Sequence, residues 1–154
     1  MILKNNLQIC DASKEDIPYL IKLLKNLFSI EKDFIFNEEK HKDGLELLIE
    51  SKNSHVILVK FENEIIAMIT MQTIISTVTG SKVGLLEDFI VKDDFRDLGV
   101  GTHLLDYTKQ LATKNNFKRL QLVCDENNEI AKEFYANKNF KKSNLTAWYY
   151  HIDN

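Results

Sequence analysis

Residues 85–105 (Leu-Leu-Glu-Asp-Phe-Ile-Val-Lys-Asp-Asp-Phe-Arg-Asp-Leu-Gly-Val-Gly-Thr-His-Leu-Leu) constrain this chain more than any other stretch. They start as an apolar strand over 85–91, break at the polar residues 92–94 and pass through a loop into a helix. Two of the five glycines, Gly99 and Gly101, stand at the helix entry. The first turn of a helix presents N–H groups without intrahelical acceptors at the positive end of the peptide dipole, which suits an anion such as phosphate. Glycine there lets the backbone approach a ligand with no Cβ in between. A strand that delivers two acids, Glu87 and Asp88, towards such a loop has the makings of a site. On the loop alone, a glycine-relaxed helix start that holds nothing fits equally well.

The rest of the chain supplies the frame. Residues 7–10 read as a short strand. Ser13 with Asp16 three residues on has the form of a helix N-cap, and Ile17, Leu20, Ile21, Leu24, Leu27 and Phe28 follow at helical spacing. Pro18 falls near the first turn, where it removes at most one helix bond. A second helical pattern spans about 37–52, with Leu45, Leu48 and Ile49 as its stripe; Gly44 weakens it by roughly 1 kcal/mol relative to alanine. At His55 the period changes. Residues 56–61 and 65–77 read as an antiparallel hairpin turned at Glu62-Asn63-Glu64, and a turn at 79–82 leads into the strand before the loop. Beyond it, Val100, Leu104, Tyr107, Thr108 and Leu111 mark a helix. Residues 120–124 then read as a strand, about 128–137 as a short helix, and 140–142 and 146–152 as closing strands. The expected order is β-α-α-β-β-β-α-β-α-β-β, an α/β (α+β) mixed sheet with helices on its faces. No linker or repeat interrupts it, so residues 1–154 are expected to form a single domain.

Composition narrows the function classes. A chain of 154 residues buries a core without staples, and its net charge of −3 with no basic block argues against a nucleic-acid surface. Cys10 and Cys124 lack metal-ligand spacing and sit in apolar runs, so both are expected as buried thiols. The four histidines are scattered, so no metal is expected. No signal peptide and no apolar run near the ~18 residues of a membrane span is evident, which makes a cytoplasmic protein without a membrane partner the expectation. Trp148, Tyr149 and Tyr150 alternate across the last strand, where they would serve the core, a homodimer contact or a substrate wall.

The familiar nucleotide loops do not fit. A Walker A loop ends in Gly-Lys-Ser/Thr, whereas Gly101 is followed by Thr102 and His103. A dinucleotide fingerprint needs a third small residue where Leu104 stands, and an acid on the next strand, where 120–124 has none. What the loop does match is Arg/Gln-x-x-Gly-x-Gly/Ala, through Arg96, Gly99 and Gly101. A second motif lies downstream: Asn128, Ala131, Phe134, Tyr135 and Phe140 fit Asn-x-x-Ala-x-x-Phe-Tyr-x-x-x-Gly-Phe except at Asn139, which replaces the glycine. Together, and in this element order, the two motifs resemble the GNAT superfamily of N-acetyltransferases over nearly the whole chain. Locally, Leu86-Glu87-Asp88-Phe89 with Val91 is similar to its diamine and polyamine branch. The chain departs from the family's pattern at Asp97, where a glycine is common, and at Cys10-Asp11, where an arginine is common.

The resemblance implies acetyl-CoA as co-substrate and a small-molecule amine as acceptor. Arg96, Asp97, Leu98, Gly99, Val100, Gly101 and Thr102 would form the pyrophosphate loop. Phe89, Ile90 and Val91 would run along the pantetheine arm, a backbone N–H there polarising the thioester oxygen. Asn128 and Ala131 would complete the cofactor site, and the strands at 85–91 and 120–124 would splay to admit it. Asn128, Ala131 and Tyr135 share one helix face, with Ile130 and Phe134 on a core-facing stripe. Tyrosine, protonated at neutral pH, suits the general acid that meets a departing thiolate. Glu87 is the expected base. An ammonium near 10.4 and a carboxylate near 4.3 differ by about six pKa units, some ~8 kcal/mol, so relay through a water is expected. Strand alternation would put Glu87 and Asp88 on opposite faces, with Asp88 as the alternative base. The competing reading is an acyl-CoA-binding regulatory or interaction module with little or no turnover.

Overall fold

A computed structural model describes residues 6–152. Residue contacts divide the chain into two compact units, Met1–Leu122 and Val123–Asn154.

The β-branched runs after His55 build the centre of the first unit. β2 (Ser54–Phe61) and β3 (Glu64–Ser76) are joined by Glu62 and Asn63, both at positive φ (47° and 68°). That is the two-residue turn whose twist suits an antiparallel hairpin. β4 (Ser81–Val91) pairs antiparallel with β3, and the edge strand β1 (Leu7–Asp11) pairs antiparallel with β2. β5 (Arg119–Gln121) then joins parallel to β4, giving the order β1-β2-β3-β4-β5.

Helices cover both faces, which is why β2 and β3 are apolar almost throughout rather than alternating. α1 (Ile17–Ile30) and α2 (Glu38–Glu50) bring Leu20, Leu24 and Leu45 against Val56, Leu58, Met68 and Ile90. α3 (Val100–Lys114) packs against β2, β3 and β4 and buries Leu104, Leu105 and Ala112. Ser13 and Asp16 close a 3-10 turn ahead of α1: the Asp16 carboxylate accepts from the Ser13 N–H (2.9 Å) and hydroxyl (3.1 Å). Asn37 caps α2 by accepting from the Lys40 N–H at 2.9 Å.

In the second unit α4 (Glu129–Asn137) is the regular element. The two closing strands expected at 140–142 and 146–152 do not form. An alternating aromatic pattern marks two faces, but a strand exists only where a neighbouring backbone completes its ladder, and no strand lies among the described residues of this unit. Trp148, Tyr149 and Tyr150 are instead exposed. β5 is likewise three residues long rather than the five expected over 120–124. Cys10 is exposed on the edge strand and Cys124 half-buried beyond β5, so neither is the enclosed thiol expected. Ile130, expected to face the core, is 84% exposed.

Candidate active site

The register of β3 and β4 decides where the acid pair points. Thr70 is the partner of Glu87 and Met68 the partner of Ile90, with a shift between them. One residue of β3, Ile69, is thus opposed by two of β4, Asp88 and Phe89. This is a β-bulge, and Asp88 sits in it at φ 50°. The alternation expected for Glu87 and Asp88 therefore fails. Thr70, Gln72 and Met68 share one face, and Glu87 and Ile90 join it as their partners. The Thr70 hydroxyl donates to the Asp88 carboxylate at 3.2 Å, and the Gln72 amide reaches the Glu87 carboxylate at 3.5 Å. Both acids lie on the face covered by α1 and α2.

Their environments differ. Thr70 is fully buried and Asp88 half-buried, whereas Glu87 stands nearer solvent. Burial pushes Asp88 above the usual carboxylate range, with the Thr70 hydrogen bond pulling the other way. Partial burial of its carboxyl, and then the charge of Asp88, push Glu87 up as well.

Beyond the bulge, β4 outruns its neighbour. β5 pairs with β4 only at Val83, Gly84 and Leu85, while β4 continues to Val91. Gly84 makes that short pairing tight: a Cβ there would lie 2.6 Å from a Leu120 methyl and 3.0 Å from the Met71 sulfur. Phe89, Ile90 and Val91 therefore lie past the last β4–β5 rung.

The chain then turns through a 3-10 turn at Asp93–Phe95 into the loop. Arg96 ties the loop to the strand end, donating from Nε to the Val91 carbonyl (3.1 Å) and pairing through Nη2 with Asp93 (2.7 Å). Asp97 (φ 58°) and Gly99 (φ 82°) both take the left-handed conformation that aims the chain into α3. The commonly glycine position held by Asp97 is thus one with a backbone reason for glycine. Gly99 is the N-cap and the first bond across it runs from the His103 N–H to the Gly99 carbonyl at 3.0 Å. No side chain caps the turn made by Val100, Gly101 and Thr102, and it carries no acid. A helix start of this kind is electrostatically suited to an anion.

In the second unit, Asn128 caps α4 by accepting from the Ala131 N–H at 3.0 Å. This gives Asn128 and Ala131 a local role that explains their spacing in the motif. The helix ends in a Schellman motif: the Phe140 N–H donates to the Tyr135 carbonyl and the Asn139 N–H to the Ala136 carbonyl, both at 3.0 Å. Asn139 holds the left-handed position (φ 65°), so asparagine does here what the motif's glycine does. The Tyr135 ring packs edge-on against Phe134 and Phe140, at centroid distances of 5.5 and 5.7 Å. Among the described residues no cluster of three or more His, Cys, Asp and Glu is placed to hold a metal, and no helix is long and apolar enough to cross a membrane.

Thr70 and Gln72 are the residues the sequence reading missed. A polar interruption of the apolar run of β3, at Thr70 and at Gln72 and Thr73, was the available signal. Pairing them with the acid stretch needs the β3–β4 register, and bringing Asp88 to Thr70 needs the bulge.

Known proteins resemble this chain over most of its length. Residues 21–140 match the Acetyltransferase (GNAT) family. An uncharacterized N-acetyltransferase of Archaeoglobus fulgidus is 21% identical over 138 residues, covering 88% of this chain and 94% of its own. An aminoglycoside acetyltransferase from an uncultured soil metagenomic sample, solved with sisomicin, superposes with a TM-score of 0.81 at 21% identity, covering 98% of this chain and 99% of its own. An aminoglycoside N-acetyltransferase solved with CoA gives a TM-score of 0.81 at 17% identity, with 96% and 95% covered. With the family model matching most of its length, the chain belongs to the GNAT family of acetyltransferases.

Proposed function

We propose that this enzyme transfers the acetyl group of acetyl-CoA to a primary amine by direct attack, with Glu87 as general base through an intervening water and Tyr135 as general acid. The observation that carries the reading is the run from β4 into α3. A strand that continues past its neighbour leads into a helix start that neither a side chain nor an acid occupies.

The residues present suit the co-substrate. The first-turn N–H groups of α3 and Arg96 would hold the pyrophosphate, and Phe89, Ile90 and Val91 would lie along the pantetheine arm. Asn128, whose amide oxygen caps α4, has its amide N–H groups to offer a ligand. Bound acetyl-CoA supplies the activated carbonyl and the thiolate leaving group. Glu87, raised by burial and by Asp88, is better matched to an ammonium than an ordinary carboxylate, and it passes the amine proton towards solvent through water. Tyr135, fixed edge-on by its aromatic neighbours, donates its phenolic proton to the departing sulfur. The Glu87 carboxylate, nearer solvent than Asp88, suits a cationic small molecule. A cytoplasmic setting and a homodimer contact through the exposed Trp148–Tyr150 segment belong to the same reading.

Turnover of acetyl-CoA against a panel of amines that includes putrescine, spermidine and aminoglycosides tests it. Acetylation of at least one amine is expected, with Tyr135→Phe lowering kcat and leaving acetyl-CoA binding unchanged. Binding of acetyl-CoA with no acetylation across the panel would make the chain a binding module instead. An unchanged rate in Tyr135→Phe would remove that residue from the chemistry.

A further inference from the structure

We infer that Thr70 and Asp88 act as a positioning pair for Glu87, Thr70 fixing Asp88 in the bulge so that a second carboxylate stands beside the base on the amine face. The inference rests on the assignment of Glu87 as the base.

Three features of the fold converge on it. The bulge inserts one residue into β4 where β3 carries Thr70 and Gln72, and so turns Asp88 onto the face of Glu87. The Thr70 side chain is fully buried and its hydroxyl donates to Asp88 at 3.2 Å, while Gln72 meets Glu87 from the same strand. Asp88 also holds φ 50°, a left-handed conformation that glycine would adopt without strain.

A purely structural account explains none of these choices well. Glycine would relieve the backbone, and asparagine would tolerate the same φ while accepting the same hydrogen bond without a buried charge. A strained backbone and a half-buried acid at one residue both cost stability, and strain kept in this way gathers at functional sites. The return is electrostatic. Asp88 is the charged group that bears on Glu87. β3 adds only the uncharged Thr70 and Gln72. On this face α1 and α2 present Leu20, Leu24 and Leu45, and the nearest charge on β5, Arg119, pairs at the level of Val83 and bonds Gln121.

The test compares Asp88→Asn, Thr70→Val and Thr70→Ser with wild type by two readouts. The first is the 13C signal of the Glu87 side-chain carboxyl, titrated in the resting enzyme, which needs no turnover. The second is the pH profile of kcat/KM on an amine that the panel identifies. Asp88→Asn is expected to move the Glu87 titration, and with it the acidic limb, to lower pH by about half a unit or more, because a like charge has gone. Thr70→Val withdraws the donor that favours charged Asp88 and is expected to move both in the same direction; Thr70→Ser keeps the hydroxyl and is expected to restore wild-type values. A Glu87 titration unmoved by Asp88→Asn overturns the inference whether or not any amine is acetylated. So does a Thr70→Ser variant that behaves like Thr70→Val. A shifted Glu87 titration in a protein that acetylates nothing supports the pairing and overturns the catalytic reading alone.

Discussion

Gly99→Ala separates the conformation of the loop from its contacts. Gly99 sits at φ 82° and ψ 4°, and a Cβ built there meets nothing within 4 Å. The substitution therefore creates no clash, and its cost is the left-handed backbone penalty of a non-glycine residue, about 1–2 kcal/mol. For a domain of this size that corresponds to a fall in Tm of about 2–8 °C. The chain can escape the penalty by rotating Gly99 to negative φ, but the N–H groups of Val100, Gly101 and Thr102 then lose their common direction. Each charge-assisted bond lost to a phosphate oxygen is worth about 1.5–3 kcal/mol, roughly 10- to 150-fold in Kd. Calorimetric titration with acetyl-CoA beside a thermal melt reads both effects, with Gly99→Asn as a control because asparagine tolerates this region. The expected order of acetyl-CoA affinity is wild type, then Gly99→Asn, then Gly99→Ala. Wild-type affinity in a destabilised Gly99→Ala would show that the helix start does not hold the pyrophosphate. Equal losses in the two variants would show that the added side chain matters and the backbone conformation does not.

Asp97→Gly should strengthen acetyl-CoA binding by about 3- to 10-fold, since it frees a left-handed position and removes a carboxylate beside the anion site; titration calorimetry that finds weaker binding would contradict this. Asn128→Ala should cost about 1 kcal/mol by uncapping α4, while Asn128→Ser keeps a cap; if acetyl-CoA affinity falls equally in both, Asn128 contacts the co-substrate beyond its capping role. Because Asp88 and Glu87 are raised in the folded protein, it holds their protons to higher pH than the unfolded chain does. Stability from this pair is full below about pH 4 and is lost as pH rises through the raised folded values. Asp88→Asn should therefore raise Tm relative to wild type at pH 7 and converge with it near pH 4, as melts across that range will show.

The parts of the site that were legible in the sequence are those fixed by local chemistry. Gly99 marks the helix start because the left-handed backbone conformation there is a local demand. The Asn128–Phe140 motif is legible because each of its residues serves the cap, the aromatic contact or the Schellman turn of one short helix. Glu62-Asn63 announced the hairpin for the same reason. What escaped depends on two strands at once. The bulge at Asp88 exists only as a mismatch between β3 and β4, and alternation along β4 alone pointed the wrong way. The closing strands failed in the opposite sense: their periodicity was real, but a ladder needs a partner that periodicity does not specify.

The bulge also links two features that otherwise look separate. An extra residue in one strand increases its local twist, and this one follows the last rung that β4 shares with β5, at Leu85 and Gln121. Gly84 holds the two strands close up to that point, with Leu120 and Met71 packed where a side chain would be. The strands are thus closely paired ahead of the insertion, and their pairing ends before it. Asp88 stands at the turning point, one residue ahead of Phe89, Ile90 and Val91. A single inserted residue in β4 is therefore expected to do two things together: it brings Asp88 beside Glu87 on the α1–α2 face, and its added twist turns the end of the strand away from the line of β5. A deletion that restores the regular register should undo both, so loss of acetyl-CoA affinity and loss of the raised Glu87 titration are expected to arrive together, and a variant that lost one alone would show them to be independent.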